Sequence, residues 1–366
     1  MSLTGAPKLI LDAFETLNGS YDILTVATNG GPFAGRFRQL GRVILIPPRI
    51  SGDSKVRRGL RTIIRVAISP LQLILWWWRP DVIYVNSTAA LPIVTQLKLP
   101  KAPIILHVHE LLTSIQIETR GCGDLLAQWP NRYIAVSQAV VCVLVDTFGV
   151  DPEKIALVHG FVPDSYGDLA AAAPSTAKTT PPSAIRPLVI GGAGRPHWRK
   201  GPLLWLQMAQ ELIAILGPGN VRFIWVGVGD DIEGLTFTEM RRKLGLEDQV
   251  ELVPVTSEPL AHFAKFDLFA MTSWEDPFPL VVLENMILGN PVVCFAGGGG
   301  AGEAVGTTGV IVPKFSPRAM AEAIAELSKS PERLAALGQA ARCRALEHFT
   351  ASSQAEKIRT EIERIR

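Results

Sequence analysis

Two acidic residues with a fixed spacing follow an apolar strand and enter a helix. Asp276 comes after the apolar run Leu268–Thr272, and Glu284 follows seven intervening residues later, inside a helical pattern that begins at Leu280. A loop that leads into a helix N-terminus presents free N–H groups and the positive end of the helix dipole. One carboxylate in the loop and a second in the helix can hold two hydroxyl-bearing parts of one ligand. Alternatively, Asp276 or Glu275 caps the helix and Glu284 is solvated.

A glycine-rich segment with two cations follows another apolar strand. Residues 191–201 read Gly-Gly-Ala-Gly-Arg-Pro-His-Trp-Arg-Lys-Gly and lead into a helical pattern. Gly194 would let the backbone approach an anion, and Arg195 and Lys200 would place two cations beside a diphosphate. Arg199 competes for either role. The segment lacks the Lys-Ser/Thr of a Walker A loop, and no acid ends the next strand as in a nicotinamide site.

Two more strand ends carry candidate residues. Gly229 lies in the turn after an apolar strand, before an acidic pair whose alternative role is a solvated turn tip. His107 and His109 alternate onto one face of a strand, and His109 falls at its carboxyl end, where open α/β sheets bind ligands. A structural role is the alternative for this histidine. Neither the histidines nor the acidic pair has the further ligands of a metal site, so no metal is expected.

The apolar runs that precede these residues predict parallel sheets covered on both faces. The runs are rich in Val, Ile and Leu, and helical patterns separate them, which indicates doubly wound α/β domains. The predicted strands are Ile23–Ala27, Arg42–Ile46, Val82–Asn86, Ile104–His109, Arg132–Val136, Leu188–Gly191, Arg222–Val226, Val250–Pro254, Leu268–Thr272, Val292–Phe295 and Val310–Val312. The predicted helices include Lys8–Leu17, Pro202–Leu216, Leu280–Leu288 and Pro317–Ser328.

The stretch from Asp168 to Pro187 predicts a linker between two such domains. It holds an Ala run and four Pro and has no periodic apolar face. The predicted domains are therefore residues 1–167 and 188–349. The first opens on a glycine-containing loop and a helix rather than on the buried strand usual for such a domain, which a missing first strand would explain.

Composition and charge exclude several classes of protein. The 366 residues are 48% hydrophobic and 19% charged, with a net charge of +2, which excludes extended disorder and argues against nucleic acid as the main partner. The four cysteines form no Cys-x-x-Cys pair, so reduced thiols and a cytoplasmic location are expected. The first residues do not resemble a signal peptide, and no apolar run reaches the roughly 20 residues of a membrane span.

The acid pair and the segments after it resemble a known family. The Asp276–Glu284 spacing resembles the E-x7-E signature of the retaining glycosyltransferases of family 4, which have the GT-B fold. Residues 289–293, 299–303 and 309–313 resemble, in order, the strand, the Gly-Gly-x-x-Glu loop and the next strand after that signature. Residues 194–201 resemble the family's G-R-x4-K-G segment. The ordered match covers most of the second half of the chain.

The resemblance has two departures in the acidic loop. Asp276 stands where the family usually has Glu, with Glu275 one place out of register. Pro277 and Pro279 replace two glycines of the family's loop, which removes two backbone donors and stiffens the segment.

The resemblance implies an architecture and an activity. The fold would be GT-B, with two Rossmann-like doubly wound domains facing across a cleft and residues 350–366 forming a helix that packs back on the first domain. The activity would be retaining transfer of a sugar from a UDP- or GDP-type nucleotide-diphosphate sugar to a glycan or lipid-linked acceptor, in cell-surface polysaccharide or glycolipid synthesis. The departing phosphate would help to deprotonate the acceptor, without covalent nucleophile, cofactor or metal.

The resemblance also assigns roles to individual residues. Arg195 and Lys200 would neutralise the departing diphosphate, while Glu284 would bind the ribose. Asp276 would orient the donor sugar, and His109 would line the cleft near that sugar. The other residues expected at the donor are Gly5, Gly194, Gly229, Phe278 and Leu280.

Three alternatives remain open from the sequence. Basic residues recur at helical spacing beside apolar ones along Lys55–Trp78, which fits either peripheral contact with an anionic membrane or a core-facing helix with a solvated basic side. An enzyme of the same fold could instead epimerise or hydrolyse nucleotide sugars. A non-catalytic protein that binds nucleotide sugars as a scaffold is the third alternative.

Overall fold

The chain forms two compact units. The computed structural model describes residues 5–17, 19–28, 30–45, 71–95, 97, 99–119, 123–172, 186–313 and 315–366. The first unit joins the N-terminal part of the chain, through His159, to the last segment, Ala351–Arg366. The second unit is the continuous stretch Gly160–Thr350. We call them unit 1 and unit 2.

Unit 1 holds two parallel sheets among the described residues. The strands are β1 (Ile23–Ala27), β2 (Gly41–Leu45), β3 (Ile83–Asn86), β4 (Ile104–Val108), β5 (Arg132–Ala135) and β6 (Ile155–Leu157). β1 pairs with β2, while β3 to β6 form a four-stranded sheet in chain order. β4 and β5 are buried along their whole length, including His107 of β4 and Arg132 of β5.

The first helix of unit 1 contacts elements of both sheets. Its residues Ile10 and Leu11 form a buried cluster with Phe37, and Val43 of β2 and Tyr84 of β3 pack against that cluster. No described residue lies in a strand before this helix, and the prediction of a missing first strand stays a prediction. The helices of the unit are Gly5–Thr16, Ala34–Leu40, Leu91–Val94, Leu112–Thr119, Gln138–Cys142 and Ala351–Ile365, and residues 71–78 are helical as well.

Unit 2 is one six-stranded parallel sheet with helices between its strands. The strands are β7 (Leu188–Ala193), β8 (Val221–Val228), β9 (Val250–Pro254), β10 (Leu268–Met271), β11 (Val292–Phe295) and β12 (Val310–Val312). The helices are Ser165–Ala172, Pro202–Leu216, Ile232–Lys243, Pro259–Phe263, Leu280–Ile287, Ala301–Val305, Pro317–Ser328 and Pro331–His348. The core is aromatic at its centre, where Trp205 packs edge-on against both Phe223 and Trp225.

The strand order of unit 2 reverses between β7 and β10. The sheet runs β12-β11-β10-β7-β8-β9, so the chain builds outward from β7 in one direction and then from β10 in the other. Neighbouring connections diverge at such a switch point, which leaves a crevice at the carboxyl ends of the two strands. The loops after β7 and β10 are therefore expected to hold the ligand of this unit.

The observed elements differ from the predicted ones mainly at two places. The short strand β6 was not predicted, because its three residues form too brief an apolar run. The N-terminal part of unit 1 ends at His159, earlier than the predicted boundary at residue 167. Unit 2 spans residues 160–350, whereas the predicted second domain was 188–349. The helix Ser165–Ala172 covers the start of the predicted linker 168–187, and residues 173–185 lie outside the described residues.

The shift of the first boundary has a local cause. Val162 forms a parallel bridge with Thr350, and its N–H donates to the carbonyl of Phe349 at 3.0 Å. Phe161 and Val162 are both fully buried. These contacts attach the segment after His159 to unit 2, ahead of the Pro-rich stretch that suggested a boundary.

The last helix belongs to unit 1. Ala351–Ile365 contacts the first helix and β5, and it buries Ile358 and Ile362. The guanidinium of Arg132 on β5 donates to Glu361 Oε2 from Nε at 2.8 Å and from a second nitrogen at 2.5 Å. A buried charge of this kind is tolerated only when it is paired, so the ion pair ties the end of the chain to the sheet.

The basic stretch Lys55–Trp78 is described only in part. Residues 55–70 lie outside the described residues. In the helical part, Trp76 and Trp77 expose 64% and 78% of their surface, while the Arg42 guanidinium lies 4.9 Å from the centre of the Trp78 ring. No helix among the described residues is long and apolar enough to cross a membrane.

Candidate functional site

The loop after β7 places Lys200 at the switch point of unit 2. β7 ends at Ala193, and a short 3-10 turn, Trp198–Lys200, leads into the helix Pro202–Leu216. Gly194 has a φ of +119° and lies against the lysine stem, since a Cβ at Gly194 would be 3.2 Å from Lys200 Cε. The N–H of Gly194 donates to the carbonyl of Val226 at 2.9 Å. Gly194 therefore makes room for Lys200 and has no free amide to offer a ligand.

The loop after β10 is tied to this first loop by hydrogen bonds. The hydroxyl of Thr272 lies 3.1 Å from the carbonyl oxygens of both Lys200 and Gly201. The N–H of Trp274 donates to the carbonyl of Arg199 at 2.7 Å. Gly201 has a φ of +61°, and a Cβ there would be 2.1 Å from the carbonyl oxygen of Thr272. Only glycine fits this close approach of the two backbones.

Lys200 and Asp276 form an ion pair where the two loops meet. Lys200 Nζ lies 2.5 Å from Asp276 Oδ2, and their side chains expose 22% and 11% of their surface. The backbone of Asp276 is fixed by the glycine-rich loop after β11, because Asp276 N donates to Gly298 O at 2.8 Å and Gly300 N donates to Asp276 O at 3.0 Å. Two residues predicted from separate motifs are thus in direct contact.

Arg195 is engaged by a different carboxylate. Its guanidinium forms an ion pair with Asp231 and is 62% exposed. Asp231 caps the helix Ile232–Lys243 by accepting from the N–H of Gly234 at 3.0 Å. That N–H, followed by Arg195, lowers the pKa of Asp231. Gly229 leaves space for this carboxylate, since a Cβ at Gly229 would lie 2.9 Å from Asp231 Oδ2.

The remaining predicted residues of unit 2 lie on or just before the helix Leu280–Ile287. Glu284 is 7% exposed within this helix. Phe278 is also 7% exposed, and its ring packs edge-on against Phe349 with centroids 5.4 Å apart. The structure therefore gives Phe278 a packing partner inside unit 2. Leu280 is half-buried at the first position of the helix, which follows Pro279 directly.

The predicted residues of unit 1 lie in a polar network at the carboxyl ends of β3 and β4. His109 Nε2 lies 2.8 Å from Asn86 Oδ1, and Asn86 Nδ2 donates to Ala6 O at 3.1 Å. Gly5 is the exposed residue that opens the same helix as Ala6. Burial lowers the pKa of His109 to about 3, so its ring is neutral at physiological pH.

A second histidine and an acid complete the network. His107 Nδ1 lies 2.7 Å from the Tyr84 hydroxyl, and the His107 and His109 rings are 4.0 Å apart. Glu110 accepts hydrogen bonds from the Ser87 hydroxyl, the N–H and hydroxyl of Thr88, and the N–H of His109. Burial nevertheless raises the pKa of Glu110. The four donors hold this carboxyl between the two strand ends.

Several of these residues were not predicted as site residues. Asp231 belongs to the acidic pair whose alternative role was a solvated turn tip, and its position three residues before Gly234 is typical of a helix cap. Asn86, Ser87 and Thr88 form a polar run directly after β3, and Thr272 directly follows β10. Polar residues at the carboxyl ends of parallel strands are the signal that could have found them. Among the described residues, no group of three or more His, Cys, Asp or Glu could hold a metal ion.

The two halves of the chain match two models of related families. Residues 10–166 match the model described as Glycosyltransferase Family 4, and residues 187–330 match the one described as Glycosyl transferases group 1. The D-inositol 3-phosphate glycosyltransferase of Kineococcus radiotolerans is 31% identical over 59% of this chain and 53% of its own length. That of Segniliparus rotundus is 34% identical over 60% and 49%. The chain thus spans about half the length of these curated relatives.

Solved structures with the same fold cover nearly the whole chain. The crystal structure of Anabaena Alr3699/HepE in complex with UDP-glucose has a TM-score of 0.77 at 20% identity, covering 98% of this chain and 96% of that one. A glycosyltransferase from Rickettsia africae has a TM-score of 0.74 at 16% identity, covering 100% and 97%. These likenesses confirm the predicted GT-B fold, and the family models confirm the resemblance in sequence. The chain therefore belongs to the group 1 glycosyltransferases of family 4.

Proposed function

We propose that the chain is a retaining glycosyltransferase that moves a sugar from a nucleotide-diphosphate sugar to an acceptor hydroxyl. The observation that carries this proposal is the Lys200–Asp276 pair at the switch point between β7 and β10. A cation and a carboxylate at that place match the two chemical parts of a sugar nucleotide. The ammonium suits the diphosphate, and the carboxylate suits the hydroxyls of the sugar.

The two members of the pair have different tasks in the transfer. Lys200 would stabilise the charge that develops on the departing diphosphate, which is electrostatic catalysis by a fixed cation. Its contact with Asp276 would then be replaced by a contact with phosphate oxygens. Asp276, held by Gly298 and Gly300, would turn its acceptor oxygens to the donor sugar. No resident metal or cofactor is needed for this division of tasks, because the lysine supplies the positive charge.

Arg195 and Glu284 take supporting roles in the proposal. Arg195 is largely exposed beside the loop after β8, so it can exchange Asp231 for a phosphate oxygen at little cost. Glu284 would bind the ribose from the helix Leu280–Ile287. We infer that Phe278 shapes the acidic loop from within and does not itself contact the donor, since its ring packs on Phe349.

The nucleotide and acceptor are proposed at the level of a class. UDP is the first nucleotide to test, because the structure of Alr3699/HepE is a complex with UDP-glucose. D-inositol 3-phosphate is the first acceptor to test, because the curated relatives are named for it. A glycan or lipid-linked acceptor in cell-surface synthesis is the second class. Contact with an anionic membrane through Lys55–Trp78 would suit the lipid-linked form, and the exposed Trp76 and Trp77 support it.

The test is thermal unfolding of the protein with UDP, GDP, ADP and CMP. A nucleotide at 100 times its dissociation constant should stabilise the wild type by about 2.7 kcal/mol. Lys200→Ala should lose this shift. Lys329→Ala is the matched control, because Lys329 is 71% exposed just after the helix Pro317–Ser328 and should keep the shift. No shift with any nucleotide in the wild type would overturn the proposal.

Turnover separates the proposal from its two rivals. Transfer from a UDP-sugar to D-inositol 3-phosphate, with the anomeric configuration of the product read by NMR, should show retention. Loss of donor at the same rate with and without acceptor would indicate a hydrolase or epimerase of the same fold. Nucleotide binding without any turnover would indicate a binding scaffold.

A further inference from the structure

The amide of Asn86 has an orientation that its partners determine. The carbonyl oxygen of Ala6 can only accept a hydrogen bond, so the atom of Asn86 that lies 3.1 Å from it must be the amide nitrogen. The amide oxygen therefore faces His109 Nε2 at 2.8 Å. Asn86 ends β3 and is paired in register with His107 of β4, which brings it beside the histidines at the end of that strand.

This orientation determines the tautomer of His109. An amide oxygen only accepts, so the proton of a neutral His109 ring must lie on Nε2. Because burial lowers the pKa of His109 to about 3, the ring carries one proton at physiological pH and Nδ1 carries none. Among the described residues, Nδ1 of His109 has no hydrogen-bond partner, and the residue is only partly buried. A lone pair is therefore available on the side of the ring away from Asn86.

The neighbouring His107 has a different environment. Its ring is fully buried, with Nδ1 on the Tyr84 hydroxyl, and its Nε2 has no partner among the described residues. It supports the His109 ring at a centroid distance of 4.0 Å. The titratable groups that face His109 are thus His107 and Glu110, which accepts from the His109 N–H at 3.0 Å. Neither contacts Nδ1.

We propose that Asn86 is a positioning residue that holds His109 in the Nε2–H tautomer, so that Nδ1 accepts a hydrogen bond from a hydroxyl of the sugar or acceptor. A hydroxyl can donate to this lone pair, whereas a phosphate or carboxylate oxygen would be repelled by it. His109 then selects hydroxyl groups of a ligand over its phosphate groups. This inference rests on the proposed glycosyl transfer.

The first experiment measures the tautomer directly. The protein is labelled with 15N-histidine, and long-range 1H–15N correlation spectra are recorded on the free wild type. His109 should show a protonated Nε2 and an unprotonated Nδ1 throughout pH 6–8. A proton on Nδ1 would overturn the proposal. This readout needs no substrate, so its failure is distinguishable from a failure of the proposed function.

The second experiment is the pH profile of Asn86→Asp. The carboxylate would still accept from His109 Nε2 but would favour the imidazolium, whose Nδ1 carries a proton and cannot accept. One pH unit below the raised pKa, about a tenth of the molecules would keep the neutral ring, so kcat/KM for the acceptor should fall about tenfold there and recover at higher pH. Stabilisation by UDP should match the wild type, because the donor phosphate is bound elsewhere.

Asn220→Asp is the matched control for the added charge. Asn220 is exposed in unit 2, and its side-chain amide donates to the carbonyl of Leu216 at the end of the preceding helix, so the wild-type pH profile should be kept. A profile of Asn86→Asp that is identical to that of Asn220→Asp would overturn the proposal. A fall in activity that is equal at every pH would do so too, since it would mark a merely structural role.

Discussion

The polar residues of the two units differ in their charge and in how firmly their partners hold them. In unit 2, Lys200 forms an ion pair with the buried Asp276 and stays partly exposed itself, while Arg195 and Asp231 form a more exposed pair. In unit 1, the His107 and His109 rings and the Asn86 amide are neutral. The hydrogen-bond partners of Asn86 and His109 allow each of them a single orientation. Paired charges at a surface can exchange partners when an anion arrives. The half-buried neutral groups of unit 1 are fixed by their partners, so they are suited to binding hydroxyl groups of fixed position.

The largest effect is expected when the cation of unit 2 is removed. Lys200→Ala should lower kcat by about 100- to 1,000-fold, because one electrostatic contact to the departing group is commonly worth that much. Steady-state kinetics with UDP-glucose would measure it. Lys329→Ala should keep the wild-type rate, and a loss below tenfold in Lys200→Ala would contradict the role of the pair.

The contact between the two loops of unit 2 can be broken by a single methyl group. Gly201→Ala would place a Cβ 2.1 Å from Thr272 O, at a φ of +61°. Gly245→Ala is a close control, because Gly245 has a φ of +64° with nothing within 4 Å of its Cβ position. The strain of the left-handed conformation is about 1–2 kcal/mol in both.

The clash should make the Gly201 variant the less stable one by a further 1 kcal/mol or more, about the penalty of an overpacked site. Urea unfolding of the two variants side by side would measure the difference. Equal losses would mean that the loops can separate freely. Weaker UDP binding in Gly201→Ala alone would show that the loop contact shapes the donor site.

The neutral His109 ring of unit 1 should make the free energy of unfolding depend on pH. The pKa of His109 is about 3 in the folded protein against about 6.5 when unfolded, so the unfolded state binds the proton first as the pH falls. The contribution of His109 to the free energy of unfolding is complete above pH 6.5. It is lost as the pH falls toward 3, at up to about 1.4 kcal/mol per pH unit. His109→Gln should lose less stability than the wild type between pH 6 and 4 in urea titrations. Parallel curves for the two proteins would mean that the ring is solvated.

The smallest effect is expected at the exposed pair of unit 2. Asp231→Asn keeps an oxygen to cap the helix but releases Arg195 from its ion pair. If Arg195 contacts the diphosphate, UDP should bind a fewfold more tightly in calorimetry, as the arginine no longer has to leave a carboxylate. Asp248→Asn removes the same charge from an exposed turn and should leave the affinity unchanged. Unchanged affinity in both variants would assign the phosphate to Lys200 alone.

The sequence predicted the sheets far better than the contacts of the site. Buried strands such as β4 and β7 appear as largely apolar runs, and the segments after their carboxyl ends carry the conspicuous residues His109 and Lys200. The partners of those residues are polar groups on other strands, such as Asn86 beside His109. Their pairing follows from strand order and register, which one-dimensional spacing does not contain.

The boundary between the two units could not be predicted from the sequence, and the reason is physical. The Pro-rich stretch after Asp168 predicts a linker by composition, yet the bridge between Val162 and Thr350 attaches earlier residues to unit 2. Such a contact joins positions far apart in the chain. Composition describes only neighbours along the sequence, so it could not show that residues 160–167 leave unit 1.

The position of the last helix has a consequence for synthesis on the ribosome. Residues through His159 emerge first, but unit 1 needs the segment after Thr350, whose Glu361 pairs with the buried Arg132. Unit 2 is one uninterrupted stretch of chain that is made before that segment. The part of the protein made first is therefore completed only after unit 2 has been made, and until then the first helix and β5 expose the apolar surface that Ile358 and Ile362 later cover.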